Sequence, residues 1–184
     1  MLNKNDIRVI KTGKNISESF LALLNQKDFD EITVQDILDR AQINRTTFYK
    51  HYAGKNELAK QLIEEFKQRV FLPLVEKRFT QSSMEFTQKF APVLLENKEK
   101  IRLLWKIETP KIHLKQDMYL LIKEKYIENM RNENLAEFVD IEFQGHMYAS
   151  FALAALSFTL SCDKPLDPLL LLENMRMLFE KTIL

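Results

Sequence analysis

Arg45, Thr46, Thr47, Tyr49, Lys50 and His51 gather cations, hydrogen-bond donors and planar rings into one short run. From Arg40 to Glu57 no acidic residue intervenes, while Arg45, Lys50 and Lys55 fall inside that interval. Arg and Lys pair with guanine O6 and N7, Thr bonds a base edge or touches a thymine methyl, and all of them reach phosphate oxygens. The chemistry of such a cluster is recognition of a negatively charged polymer. Bond-making chemistry has no comparable concentration. A nucleophile with its base, a Gly-rich phosphate loop or a placed carboxylate pair would be needed, and Gly13 stands alone while the Asp and Glu residues fall at solvated helical positions. His113, His146 and Cys162 share no ligand spacing, so no metal site is expected and no cofactor is implied. The lone Cys162 excludes an internal disulfide framework, suits a reducing cytosol and reads as a small buried residue.

The elements that hold these residues are legible from Ile32 to Leu58. Thr33 is placed to cap a helix, with Asp36 three residues on completing a capping box, and Val34, Ile37, Leu38 and Ala41 then share one face. The link Ala41–Gln42–Ile43–Asn44 is too short for a separate loop, and Asn44 caps a second helix opening at Arg45. Phe48 and Tyr52, at i, i+4 spacing, are the packing face of that helix and leave the donor residues on the others. Two helices joined this tightly make a helix-turn-helix.

The run ITVQDILDRAQINRTTFYKHYAGKNEL resembles the DNA-binding signature of the TetR/AcrR family of bacterial transcriptional regulators. The order of capped helix, short turn, TTFYKHY core and GKNEL opening is what carries the likeness. It implies an operator-binding homodimer, most often a repressor, with one recognition helix per subunit in successive major grooves of a palindromic site. Arg45, Thr46, Thr47 and Lys50 are then the candidates for base-edge reading. Carried over from matching positions, Thr33, Gln35, Tyr49, His51 and Lys55 are expected to fix the register on phosphates. Gln42 stands where the family often has Gly, which asks Gln42 for a backbone shape Gly adopts more easily. Thr46 stands where a small or rigid residue is common, which bears on operator preference.

Scarce Gly and Pro, long helix-forming runs and no sustained strand alternation argue for an all-α protein. The expected organisation is an N-terminal three-helix helix-turn-helix domain over 1–66 and a C-terminal helical dimerisation and ligand domain over 67–184. Helix one is expected from about Asn5 to Gln26 with Ile16, Phe20, Leu23 and Leu24 inward, and Lys4, Arg8, Lys11 and Lys14 at its start face either phosphates or plain solvent. A fourth helix with Leu58, Leu62, Phe66 and Val70 on one face runs to Pro73, which kinks or ends it. No apolar run reaches the roughly 20 residues that span a bilayer, and the N-terminus lacks the apolar core of a secretory signal.

The C-terminal part ends in a long helix expected from about Leu135 to Ser161, apolar almost all round in YASFALAALSFTL, and a last apolar helix. Such helices need cover on every side. Pairing them with their copies across a two-fold axis supplies it, and the resemblance assigns the same two terminal helices to a dimer interface. Gly145, Ala149, Ala152, Leu153, Leu156, Met175 and Leu178 are the candidate interface residues; the alternative is that they are monomer core. The resemblance also implies a pocket for a small apolar or amphipathic effector. Phe66, Phe86, Phe90, Trp105, Met118, Tyr119, Phe143 and Met147 are its candidate walls, with plain core as the alternative reading. A different class of function is a regulator-like interaction module whose C-terminal part docks a protein partner, with constitutive or activating DNA binding.

Overall fold

The computed structural model describes residues 7–131, 133, 136–162 and 167–182; Lys4 and the expected helix starts at Asn5 and Leu135 lie outside them. In chain order come α1 (Ile7–Leu24), α2 (Val34–Ala41), α3 (Arg45–His51), α4 (Lys55–Phe66), α5 (Leu72–Lys77), α6 (Ser83–Glu96) and α7 (Lys98–Leu104). A two-stranded hairpin follows, β1 (Glu108–Thr109) and β2 (Ile112–His113), then α8 (Leu114–Met130), α9 (Ile141–Ser161) and α10 (Pro168–Thr182). The architecture is all-α apart from the hairpin, whose strands are too short to show any alternation in sequence.

The chain divides into two compact units. The first comprises Met1–Phe66 and also Lys100–Leu114, a segment that a continuous division at residue 66 leaves with the second. Its core is built from the inward residues of four helices: Ile16, Phe20, Leu24, Ile37, Phe48 and Leu58 are all fully buried. Burying a side chain of this kind contributes about 1.5–3 kcal/mol. Phe29, in a 3₁₀ turn, closes one end by meeting Phe20 edge-on with ring centroids 6.2 Å apart. The added segment is tied to the end of α1, where helical carbonyls lack partners of their own. Lys106 Nζ donates to the Leu24 carbonyl at 3.1 Å, and Arg102 Nη2 donates to Asn25 Oδ1 at 2.9 Å.

The second unit comprises Lys67–Glu99 and Lys115–Leu184. After α4 the hydrogen bonding loosens into a π-helical turn over Lys67–Phe71 before α5 resumes with Pro73 in its first turn. Proline lacks an N–H and its ring crowds the carbonyl four residues back, so the widened turn absorbs it. Pro73 therefore sits in the first turn of a new helix, where its missing N–H leaves no intrahelical bond unmade. The long C-terminal helix starts later than expected because Asp140 caps it. One carboxylate oxygen, Oδ1, accepts from the N–H groups of Glu142 and Phe143 at 3.0 Å each. On α9, Gly145, Ala149, Leu153 and Leu160 are buried, while Phe143, Met147, Ala154 and Phe158 form an exposed stripe. Among the described residues no helix is long and apolar enough to cross a membrane.

Candidate nucleic-acid interface

Two local devices fix the reading head. Thr33 Oγ1 accepts from the Asp36 N–H at 3.1 Å, and Asp36 Oδ2 accepts from the Thr33 N–H at 2.7 Å, the reciprocal box expected from their spacing. Asn44 Oδ1 likewise accepts from the Thr47 N–H at 2.8 Å, so α3 begins at Arg45. Between the helices Gln42 takes the left-handed conformation, φ 53° and ψ 46°, as its position in the turn demands. Asn15 Nδ2 on α1 donates to the Ala41 carbonyl at 2.7 Å and anchors the end of α2.

On α3 the division of labour is clear. Phe48 is fully buried and packs against the rings of Tyr49 at 5.5 Å and Tyr52 at 5.8 Å. Arg45, Thr46, Tyr49 and Lys50 are exposed and Thr47 is half-buried behind its N–H bond to Asn44. Arg45 lies 5.8 Å from the Tyr49 ring centroid, a cation–π contact that steers a long flexible side chain along the helix face. Thr33 and Gln35 stand exposed at the start of α2, with Gln35 Nε2 donating to Asp39 Oδ1 at 2.8 Å.

Two residues expected on phosphates serve the protein itself. His51 is half-buried against α1: a side chain built on Gly13 would meet its Nδ1 at 3.6 Å. Burial holds its pKa below the ordinary histidine value, which keeps the ring neutral at pH 7. Lys55 donates from Nζ to the carbonyls of Phe29 at 2.8 Å and Asp30 at 3.0 Å, and sits 4.7 Å from the Phe29 ring centroid. Two of its three N–H groups are thereby engaged in pinning the 3₁₀ turn to the start of α4. Lys27 is a residue that sequence reasoning missed. Its Nζ lies 2.8 Å from Asp36 Oδ2 and, with the Thr33 N–H and hydroxyl, holds the Asp36 carboxyl well below the usual range.

Residues 19–62 match the model for bacterial regulatory proteins of the tetR family. Residues 19–62 are a tetR-family segment. The chain is 42% identical over 60 residues to the uncharacterized HTH-type transcriptional regulator YxbF of Bacillus subtilis (strain 168), a match covering 32% of this chain and 16% of YxbF. The chain thus spans only a small part of that curated relative. Its fold is similar to that of the TetR transcriptional regulator from Streptococcus agalactiae 2603V, with TM-score 0.67, 24% identity, and coverage of 92% of this chain and 93% of that one. It is also similar to a gamma-butyrolactone receptor (ArpA-like protein), with TM-score 0.56, 16% identity, and coverage of 83% and 85%.

Within the second unit lies an apolar cavity of about 250 Å³ walled by α5, α6, α9 and α10, with Ile122 of α8 at one side. Of the residues expected to wall a pocket, Phe86 and Phe90 do so, joined by Phe71, Phe79, Tyr148 and Phe151. Phe66 and Trp105 belong to the first unit, Met118 is fully buried elsewhere, and Tyr119 meets the ring of His146 at 5.8 Å. Phe143 and Met147 point outward, 61% and 49% exposed. Helical spacing identified apolar positions without telling which side of an all-apolar helix faces the hollow. The same ambiguity affected the expected interface. Gly145, Ala149 and Leu153 are buried in their own unit, Ala152, Leu156 and Met175 line the cavity, and Leu178 is exposed.

Proposed function

We propose that this chain is a homodimeric, ligand-responsive transcriptional repressor that binds a palindromic operator through the major groove. The observation that carries the reading is α3 itself: Phe48 anchors the helix while Arg45, Thr46 and Lys50 stand exposed with no acidic residue along it. A dimer places two such helices on half-sites about one helical turn apart, roughly 34–36 Å. Arg45, Thr46, Thr47 and Lys50 read base edges, and Thr33, Gln35 and Tyr49 hold phosphates. His51 and Lys55 act behind them, as spacers that fix the attitude of α3 and α4.

The cavity supports the ligand-responsive form over a module that docks a protein partner, which would call for a filled, closed core. One fold relative is named a gamma-butyrolactone receptor, and that description concerns the relative. A ligand releases DNA only by binding more tightly to a conformer whose recognition helices are wrongly spaced. The test is selection of bound fragments from genomic DNA by the purified chain, then binding to the best site across a salt series. A palindromic site with a steep salt slope is expected. Arg45→Ala should cost about 1–3 kcal/mol and relax preference at one base position of each half-site. Equal weakening on all sequences would make Arg45 a phosphate contact, and sequence-indifferent binding by the parent chain would overturn the operator reading.

A further inference from the structure

The lining of the cavity in the second unit is almost wholly apolar, and among the described residues that wall it Arg78 alone carries a charge. Arg78 follows α5 and is half-buried. Its guanidinium lies 5.9 Å from the Phe79 ring centroid and 5.5 Å from that of Phe86, and Nη2 donates to Ser83 Oγ at 3.1 Å. Tyr148, stacked on Tyr126 with centroids 5.0 Å apart, sits beside it. Among the described residues no carboxylate pairs with Arg78. The nearest acid along α6, Glu85, is held by the Ser82 hydroxyl and N–H at 3.0 and 3.2 Å, in the box that caps that helix.

A guanidinium withdrawn from water against aromatic rings, with five donors and few acceptors, carries a desolvation cost that an anion offsets best. Its planar fork matches a carboxylate in two parallel hydrogen bonds. Ser83, Thr87, Tyr148 and Thr159 add hydroxyls to the lining, and beyond these and Arg78 it is apolar, mostly Phe, Leu and Ala. From this arrangement we infer that the effector is an amphipathic monocarboxylate, its head group on Arg78 and its apolar body in the hollow between α6, α9 and α10. Since an apolar cavity of about 150 Å³ takes a benzene molecule, the present one suits a body of roughly ten non-hydrogen atoms. The inference rests on the reading of this cavity as the effector site, and adds the chemical class that the site selects.

The experiment titrates the 184-residue chain calorimetrically with octanoate, 1-octanol and octylammonium, which share a tail and differ in head-group charge. Octanoate is expected to bind at least tenfold more tightly than octanol, and octylammonium more weakly than either. In Arg78→Gln the octanoate preference should collapse while octanol affinity holds, and Arg78→Lys should restore part of it. Should Arg78→Gln fail to fold, the order of the three ligands on the parent chain decides alone. Octanol binding as well as octanoate, or octylammonium leading, would overturn the anionic class while leaving the cavity as a ligand site. Binding of none of the three would remove the effector-site reading and this inference with it.

Discussion

At the scale of single residues, the turn between α2 and α3 concentrates the most informative backbone. Gln42 is exposed and left-handed, so its side chain brings little packing to a conformation that costs a non-Gly residue about 1–2 kcal/mol. Gly occupies that region freely but loses more chain entropy on folding, about 0.5–1 kcal/mol. Gln42→Gly should therefore stabilise the chain by roughly 0.5–1 kcal/mol, read as a higher urea midpoint at unchanged slope. A lower midpoint would mean that the Gln42 side chain makes a contact worth more than the strain. Asp36 gives a pH signature at the same site. Its folded-state pKa is lowered, first by Lys27 and then by the Thr33 N–H and hydroxyl. A lowered value means that the stabilisation is present above the unfolded carboxyl pKa, near 3.9, and is lost as pH falls through the folded value. Parent and Asp36→Asn unfolding curves should accordingly differ at pH 6 and converge in acid; a gap independent of pH would assign the effect to lost packing.

At the scale of elements, the two capped helices were legible because their decisive contacts are three residues apart. Thr33 with Asp36, and Asn44 with Thr47, need nothing beyond local geometry. Contacts that join distant segments left no such trace. Lys55 reaches back to Phe29 and Asp30, and Lys27 reaches Asp36, so a lysine expected to face DNA is engaged by its own protein and another passed unnoticed. The late start of α9 was hidden for a different reason: Asp140 sits after a polar run in which several residues serve equally well as caps by type. Gly13 makes the packing of α1 against α3 testable. It is helical, and an added Cβ would meet His51 Nδ1 at 3.6 Å and the Tyr52 hydroxyl at 3.9 Å, ordinary contact distances. Gly13→Ala should then raise stability by about 0.5–1 kcal/mol through helix propensity and leave operator affinity unchanged. Loss of DNA binding with stability retained would show that α1 and the recognition helix need more room than this spacing provides.

At the scale of the whole molecule, α9 carries buried and openly exposed apolar side chains a few positions apart. Leu153 is buried, whereas Phe143, Met147 and Phe158 are 61%, 49% and 60% exposed along one stripe; on α10, Leu170, Met177 and Leu178 are exposed as well. Large apolar side chains aligned along a helix and left open to water mark an association surface. A self-complementary pairing across a two-fold axis covers such a stripe with its own copy. The sequence pointed to these helices and to Leu178, but its other candidates included the small residues Gly145 and Ala149, which suit close approach; in the structure that approach is to their own neighbours, with Ile127 Cγ1 only 3.0 Å from a Cβ built on Gly145. The two roles predict opposite behaviour from substitutions on the same helix. Met147→Glu with Phe158→Glu should preserve helicity and unfolding stability of the protomer, yet shift the sedimenting species to half the mass. Operator affinity should fall with it, because two linked half-sites gain by effective concentration what one alone lacks. Leu153→Ala should instead cost about 2–5 kcal/mol in stability while any dimer that folds keeps its association constant. If the double Glu variant sediments as the parent does, the exposed stripe is not where the copies meet, and the two-fold arrangement on DNA would have to be built from another face.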